Sequence, residues 1–171
     1  MAQHGAEQHS STGASRRLGI AWVLITLALA VHVLDEALTG FLAVYNPTVR
    51  ALRITYPWFP IPTFTFWDWL TGLICAVVIL LALSPLFYRN VRWIRPLGYL
   101  AVVVQILNAL GHIIGTVLGR TVESVHFSRP APGFYSSPLL LLTAMYLFYA
   151  LAHSRNWAEP HFQPMRAGGN T

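Results

Sequence analysis

Residues 18–39 read Leu-Gly-Ile-Ala-Trp-Val-Leu-Ile-Thr-Leu-Ala-Leu-Ala-Val-His-Val-Leu-Asp-Glu-Ala-Leu-Thr. No charged side chain occurs from Leu18 to Val31; then His32, Asp35 and Glu36 arrive together. Arg16 and Arg17 precede the run, and apolar residues continue past Thr39 to Tyr45. A stretch of about 20 apolar residues suffices to cross the hydrocarbon core of a bilayer as a helix. Residues 18–45 therefore predict a first membrane span that carries three ionisable groups.

Three further stretches have the same character. They are residues 66–87, closed near Pro85, residues 97–118, opened by Pro96, and residues 134–152, with Pro138 in the first turn, where a missing N–H does little harm. The sequence predicts an all-α integral membrane protein, a four-transmembrane-helix bundle within residues 18–153. A disordered cytosolic tail is expected at 1–17, rich in Ser, Gly, Gln and His, and a polar tail at 154–171. A cleaved signal peptide is the rival for the first stretch, because two arginines, an apolar core and Ala28-Leu29-Ala30 fit that pattern. The run continues past such a cleavage site, and its removal leaves an odd three-helix remainder.

The composition agrees. Of 171 residues, 55% are apolar and 10% charged, against about 25% charged in a typical soluble domain. The net charge of +5 comes entirely from arginines, scattered at the flanks of the apolar runs. That is a membrane-flank pattern and excludes a nucleic-acid surface. With the N-terminus inside, Arg16, Arg17, Arg89, Arg92, Arg95, Arg155 and Arg166 face the cytoplasm, against Arg50, Arg53, Arg120 and Arg129 outside. The count favours a cell-membrane protein with both termini cytoplasmic. Cys75 has no cysteine partner in the chain and is expected as a small buried residue.

At about 100° per residue, His32, Glu36 and Thr39 share one narrow face, with Asp35 beside them. A charge at the bilayer centre costs about 2.5–3.5 kcal/mol on insertion scales, so such groups are expected to face a partner. The third stretch offers one, since Gln105, Asn108 and His112 share a face. Spans one and three run in parallel, so depth can be counted: His32 and Asn108 fall near the bilayer centre, and Glu36 and His112 about 6 Å further out. Gly111, Gly115 and Gly119 lie on the same face. They allow close helix packing, a dimer face in a homo-oligomer, or room for a ligand.

Several chemistries need these residue types. His32, Glu36 and His112 could hold one divalent metal ion. Glu36 or Asp35 with a histidine could form an acid–base couple, and Asn108 could orient a substrate oxygen. Haem ligation by His32 and His112 fits poorly with the adjacent carboxylates and unequal depths. The expected activity is that of a membrane-embedded enzyme on a lipid-like or small apolar substrate, with His32, Asp35, Glu36, Asn108 and His112 as its catalytic set. A proton or ion conduit, a small transporter, or a structural subunit with an interhelical polar network are the alternatives. Glu123 and His126 are expected in a solvated loop.

His32-x-x-Asp35-Glu36 at the end of a first apolar segment resembles the HXXEE-domain family of small multi-pass membrane proteins. Asn108-x-x-x-His112 on a later helix and Pro132-Gly133 before the last helix match that family's further motifs. The resemblance spans roughly residues 20–150 and implies a multi-pass protein whose shared residues form the site. It names no substrate. Asp35 departs from the pattern, being one methylene shorter than the glutamate expected there, which alters metal reach more than proton chemistry.

Overall fold

A computed structural model describes residues 2–154, with side chains described from Gly13 onward. The chain is helical apart from one short hairpin. Helices α1 (Ala2–Thr39), α2 (Phe41–Thr55), α3 (Phe66–Ala82) and α4 (Ser84–Tyr88) precede a 3-10 turn at Arg92–Ile94. Then come α5 (Arg95–Leu118), the antiparallel strands β1 (Arg120–Val122) and β2 (Val125–His126), and α6 (Ser137–His153).

Local chemistry sets most of these boundaries. Gly40, at φ 77°, takes the left-handed conformation that interrupts the first apolar run. Thr65 Oγ1 accepts the Asp68 N–H and donates to the Asp68 carboxylate, closing the start of α3. Proline stands in the first turn of α4, α5 and α6. Gly119, at φ 70°, ends α5 with its N–H on the Gly115 carbonyl.

Three helical stretches are long and apolar enough to cross a membrane: Gly13–Thr39, Phe66–Tyr88 and Arg92–Leu118, of 27, 23 and 27 residues. The fourth apolar helix, α6, has 17 residues and rises about 26 Å, a little under a hydrocarbon core of about 30 Å. Much of the apolar surface points outward. Leu34 on α1, Val78 on α3, Leu107 on α5 and Leu142 on α6 are each more than half exposed, an apolar surface of the kind that marks a membrane or protein interaction face.

α6 is central, packing against both α5 and α1, and α1 also packs on α3 and α4. The main core lies towards the Leu18 end of α1. Trp22 stacks on Phe87 with ring centroids 3.8 Å apart, and its indole N–H donates to the Leu80 carbonyl at 2.8 Å. Leu18, Ile25, Val102, Leu147 and Leu151 complete this cluster.

The structure corrects several boundaries. The first apolar run does not continue as one span to Tyr45, because Gly40 breaks it and a separate helix, α2, takes residues 41–55. Residues 2–17, expected as a disordered tail, belong to α1. The expected loop at 46–65 is helical in its first half, and Pro47 lies inside α2. The stretch 66–87 is divided between α3 and α4, and α6 starts three residues later than 134. With α1 ending at Thr39, His32 lies in its last two turns and not at its middle. Cys75 is exposed along α3, not buried. Residues 155–171, with His161, Arg155 and Arg166, lie outside the described residues.

The Trp22–Phe87 stack generates a test. Trp22→Ala leaves a cavity in this core and is expected to destabilise the fold by about 3–5 kcal/mol. Trp22→Phe keeps a ring and is expected to lose about 1 kcal/mol with the indole hydrogen bond. Thermal unfolding in detergent micelles, followed by helical circular dichroism, checks the order.

Candidate functional site

The last two turns of α1 present His32 and Glu36 on one face, a single turn apart. Glu36 Oε1 lies 3.4 Å from His32 Nε2 and 3.1 Å from His112 Nε2, which reaches across from α5. His32 is 0% exposed, Glu36 5% and His112 9%. The imidazole centroids are 4.8 Å apart, edge to face. One ligand atom from each of the three residues falls within 4.8 Å of the others, a group of metal-binding type. The backbones of α1 and α5 are not among the closely packed pairs, so side chains bridge the gap between them.

The arrangement continues into α6. Asp35 Oδ2 accepts from the Ser136 backbone N–H at 2.9 Å and from Ser136 Oγ at 2.8 Å. Asp35 thereby serves as a cap from another helix, its negative charge set at the positive end of α6. Ser136 Oγ also lies 2.8 Å from His32 Nδ1 and 3.2 Å from the Gly133 carbonyl. The hydroxyl has one proton, and its carboxylate and carbonyl neighbours only accept. With that proton given to Asp35, His32 Nδ1–H donates to Ser136. His32 Nε2 then points towards Glu36. His32 Nε2 is buried with no hydrogen-bond partner; its 3.4 Å approach to Glu36 lacks hydrogen-bond geometry.

The loop before α6 closes over these groups. Gly133, at φ 79°, donates its N–H to Thr39 Oγ1 at 3.2 Å, and its carbonyl accepts from Ser137 Oγ at 2.8 Å. A Cβ built at Gly133 would stand 2.8 Å from His112 Cε1, 2.9 Å from His32 Cε1 and 3.0 Å from Glu36 Cγ. Both the backbone conformation and the space require glycine at that position.

On its other side, His112 faces a cavity of about 270 Å³. Phe41, Leu107, Gly111 and Phe127 supply apolar lining, and Asn108, Thr48 and Thr121 supply polar atoms. Asn108 Oδ1 lies 3.1 Å from His112 Nε2. Nothing lies within 4 Å of where a Gly111 Cβ would be, while Gly115 faces Phe127 and Ala131. Two of the three spaced glycines thus border the cavity, and Gly119 caps α5. Tyr45, also in the lining, donates its hydroxyl to the Pro62 carbonyl at 2.9 Å. Partial burial raises the pKa of this phenol, opposed by the nearby Arg53 charge, so it stays a neutral donor.

Of the residues expected to form the site, His32, Glu36 and His112 converge, and Asn108 joins through His112. Asp35 does not meet them as a ligand; it holds Ser136, which holds His32. Glu36 and His112 meet across α1 and α5, whereas Asn108 pairs with His112 on its own helix. Gln105 is buried nearer the core, its Oε1 without a partner. Glu123 and His126 are exposed in the hairpin. Ser136 and the geometry of Gly133 were not read from the sequence. Ser136-Ser137 before Pro138 is a helix-start signature that could have flagged the first. Comparison with protein-family models, with curated proteins and with solved structures gave no match.

Substituting the two glycines separates these roles. Gly133→Ala is expected to destabilise the protein by about 1–3 kcal/mol from backbone strain alone, with the steric conflict added. Gly111→Ala, in open space within a helix, is expected to be neutral or up to about 1 kcal/mol stabilising. Paired thermal melts check this, and equal melts would contradict the packing of Gly133 against the cluster.

Proposed function

We propose that this chain is a membrane-embedded enzyme acting on a lipid-like or small apolar substrate. The observation that carries the reading is the cavity: an apolar recess in a membrane-type helical protein, ending on His112 and Asn108 at the edge of a buried His/Glu cluster. Enzyme pockets characteristically join apolar walls to a few convergent polar groups. About 270 Å³ is just under the usual range for a whole drug-sized ligand, so it suits a small molecule or the reactive end of a longer chain. Leu107 and Gly111 are exposed beside it, giving an entrance from the lipid side.

In this reading α1, the α3–α4 unit, α5 and α6 are the four spans. The arginine distribution puts the N- and C-termini in the cytoplasm and the site towards the outer face. His32, Glu36 and His112 form the reaction centre, Asn108 orients a substrate oxygen, and Asp35 acts through Ser136 on the orientation of His32. The likeness to the HXXEE-domain family accords with this set, since its motifs fall on the cluster and on the Gly133 loop. A through-going conduit has less support. The core at the Leu18 end is centred on the apolar side chains of Trp22, Phe87, Leu147 and Leu151.

The test is turnover of extracted membrane lipids by purified protein, read by mass spectrometry. A product formed by wild type and absent with Glu36→Gln, both folded, is expected. Gly111→Phe, which fills the cavity, is expected to lower turnover at least tenfold while keeping the fold. Lipid profiles unchanged by wild type, together with Glu36-dependent proton flux in liposomes, would replace the enzyme by the conduit. Reporter fusions near residues 50, 90 and 125 check orientation; 50 and 125 are expected outside.

A further inference from the structure

We propose that His32 Nε2, Glu36 and His112 Nε2 bind one divalent transition-metal ion of the zinc or ferrous type, with Asp35 and Ser136 as its supporting residues. The inference rests on the same cluster as the enzyme reading, but not on the cavity or on any substrate.

The first argument is the orphaned nitrogen. His32 is wholly buried, and its Nδ1 is committed to Ser136. Its Nε2 lies 3.4 Å from the Glu36 carboxylate without hydrogen-bond geometry. A buried ring nitrogen beside a carboxylate is satisfied by a shared proton or by a cation between them. A metal ion is such a cation, and the backing fits. A metal-binding histidine characteristically donates its other ring N–H to an oxygen acceptor that fixes ring and tautomer. Here that acceptor is Ser136 Oγ, itself tied to Asp35.

Charge accords with this. A divalent ion between the two imidazoles is partly balanced by the Glu36 carboxylate in contact, while Asp35 is set against the first N–H groups of α6. Glu36 also lies in the last turn of α1, where the helix dipole turns its negative end to the site and favours a cation.

The second argument is spacing. Tetrahedral coordination with bonds of about 2.0–2.2 Å separates neighbouring ligand atoms by roughly 3.3–3.5 Å. Glu36 Oε1 stands 3.4 and 3.1 Å from the two nitrogens. Coordination requires small rotations that bring the nitrogens closer to each other and release His112 Nε2 from Asn108. Two imidazoles and one carboxylate select a transition metal over magnesium or calcium. Three protein ligands leave a position open, as in catalytic rather than structural zinc sites.

The test uses the full chain purified in detergent without chelator, followed by chelation and titration with Zn²⁺ and Co²⁺. One ion per chain is expected, with a Co²⁺ absorption spectrum of low coordination number. Glu36→Gln and His112→Ala are expected to weaken binding at least 100-fold, and Ser136→Ala by 10–100-fold, the range for supporting residues. Asp68→Asn, an acid remote from the cluster, is expected to leave binding unchanged. Circular dichroism and thermal melts show which variants fold. No binding to folded wild type, an aquo-like Co²⁺ spectrum, or unchanged affinity in folded Glu36→Gln would each overturn the site. Stoichiometric metal without lipid turnover would leave this inference standing and count against the enzyme. Turnover by metal-free protein would do the reverse.

Discussion

The carboxylate of Asp35, set against the first N–H groups of α6, is the contact on which the rest of the site depends. It ties the end of α1 to the start of the helix around which the fold is packed. It also fixes Ser136, whose hydroxyl lies 2.8 Å from His32 Nδ1 and 3.2 Å from the Gly133 carbonyl at the edge of the cluster. The helices would pack through Leu140, Ala28 and Ala109 without it, but the imidazole would have no set orientation. Because the helix terminus compensates the Asp35 charge, the adjacent carboxylate is left to the two histidines.

That division explains why two neighbouring acids are tolerated in a helix of this kind. Successive residues on a helix point about 100° apart. Asp35 therefore turns to α6 while Glu36 turns to α5, and each finds a different compensating group. An unpaired charge in an apolar surrounding is costly, so the surroundings of this dipeptide constrain three helices together: the length of α1 before Gly40, the start of α6 at Ser136 and the register of His112 on α5.

The sequence reading found the helices and the principal site residues for definite physical reasons. Helix periodicity puts His32 and Glu36 on one face, and Asn108 and His112 on another, without knowledge of packing. Glu36 and His112 then meet at 3.1 Å between α1 and α5. The break at Gly40 was not legible, because the residues on either side are equally apolar and a single glycine can lie inside a helix. Its effect is that His32, central in the apolar run, lies in the last two turns of α1. Asp35 was read as a site member because it adjoins Glu36 in sequence, but its partner is the N-terminus of a helix about a hundred residues away. A contact of that kind depends on how α1 and α6 meet, which periodicity within either helix does not determine. Ser136 was missed on the same ground, since a serine before a helix usually caps its own helix.

The one-sidedness of the molecule gives these local facts a common direction. The aromatic and aliphatic core fills the Leu18 end, whereas the His32–Glu36–His112 cluster lies at the Thr39 end, under the Gly133 loop, and α2 packs on the hairpin. Asn46 clamps the chain before α3 with two hydrogen bonds to Phe64, and Thr48 meets Thr121 across from the hairpin. These contacts hold α2 over the cavity that ends on His112. On the proposal made above, a polar centre backed by packed rings and bordered by an apolar recess suits chemistry on a small apolar group better than conduction.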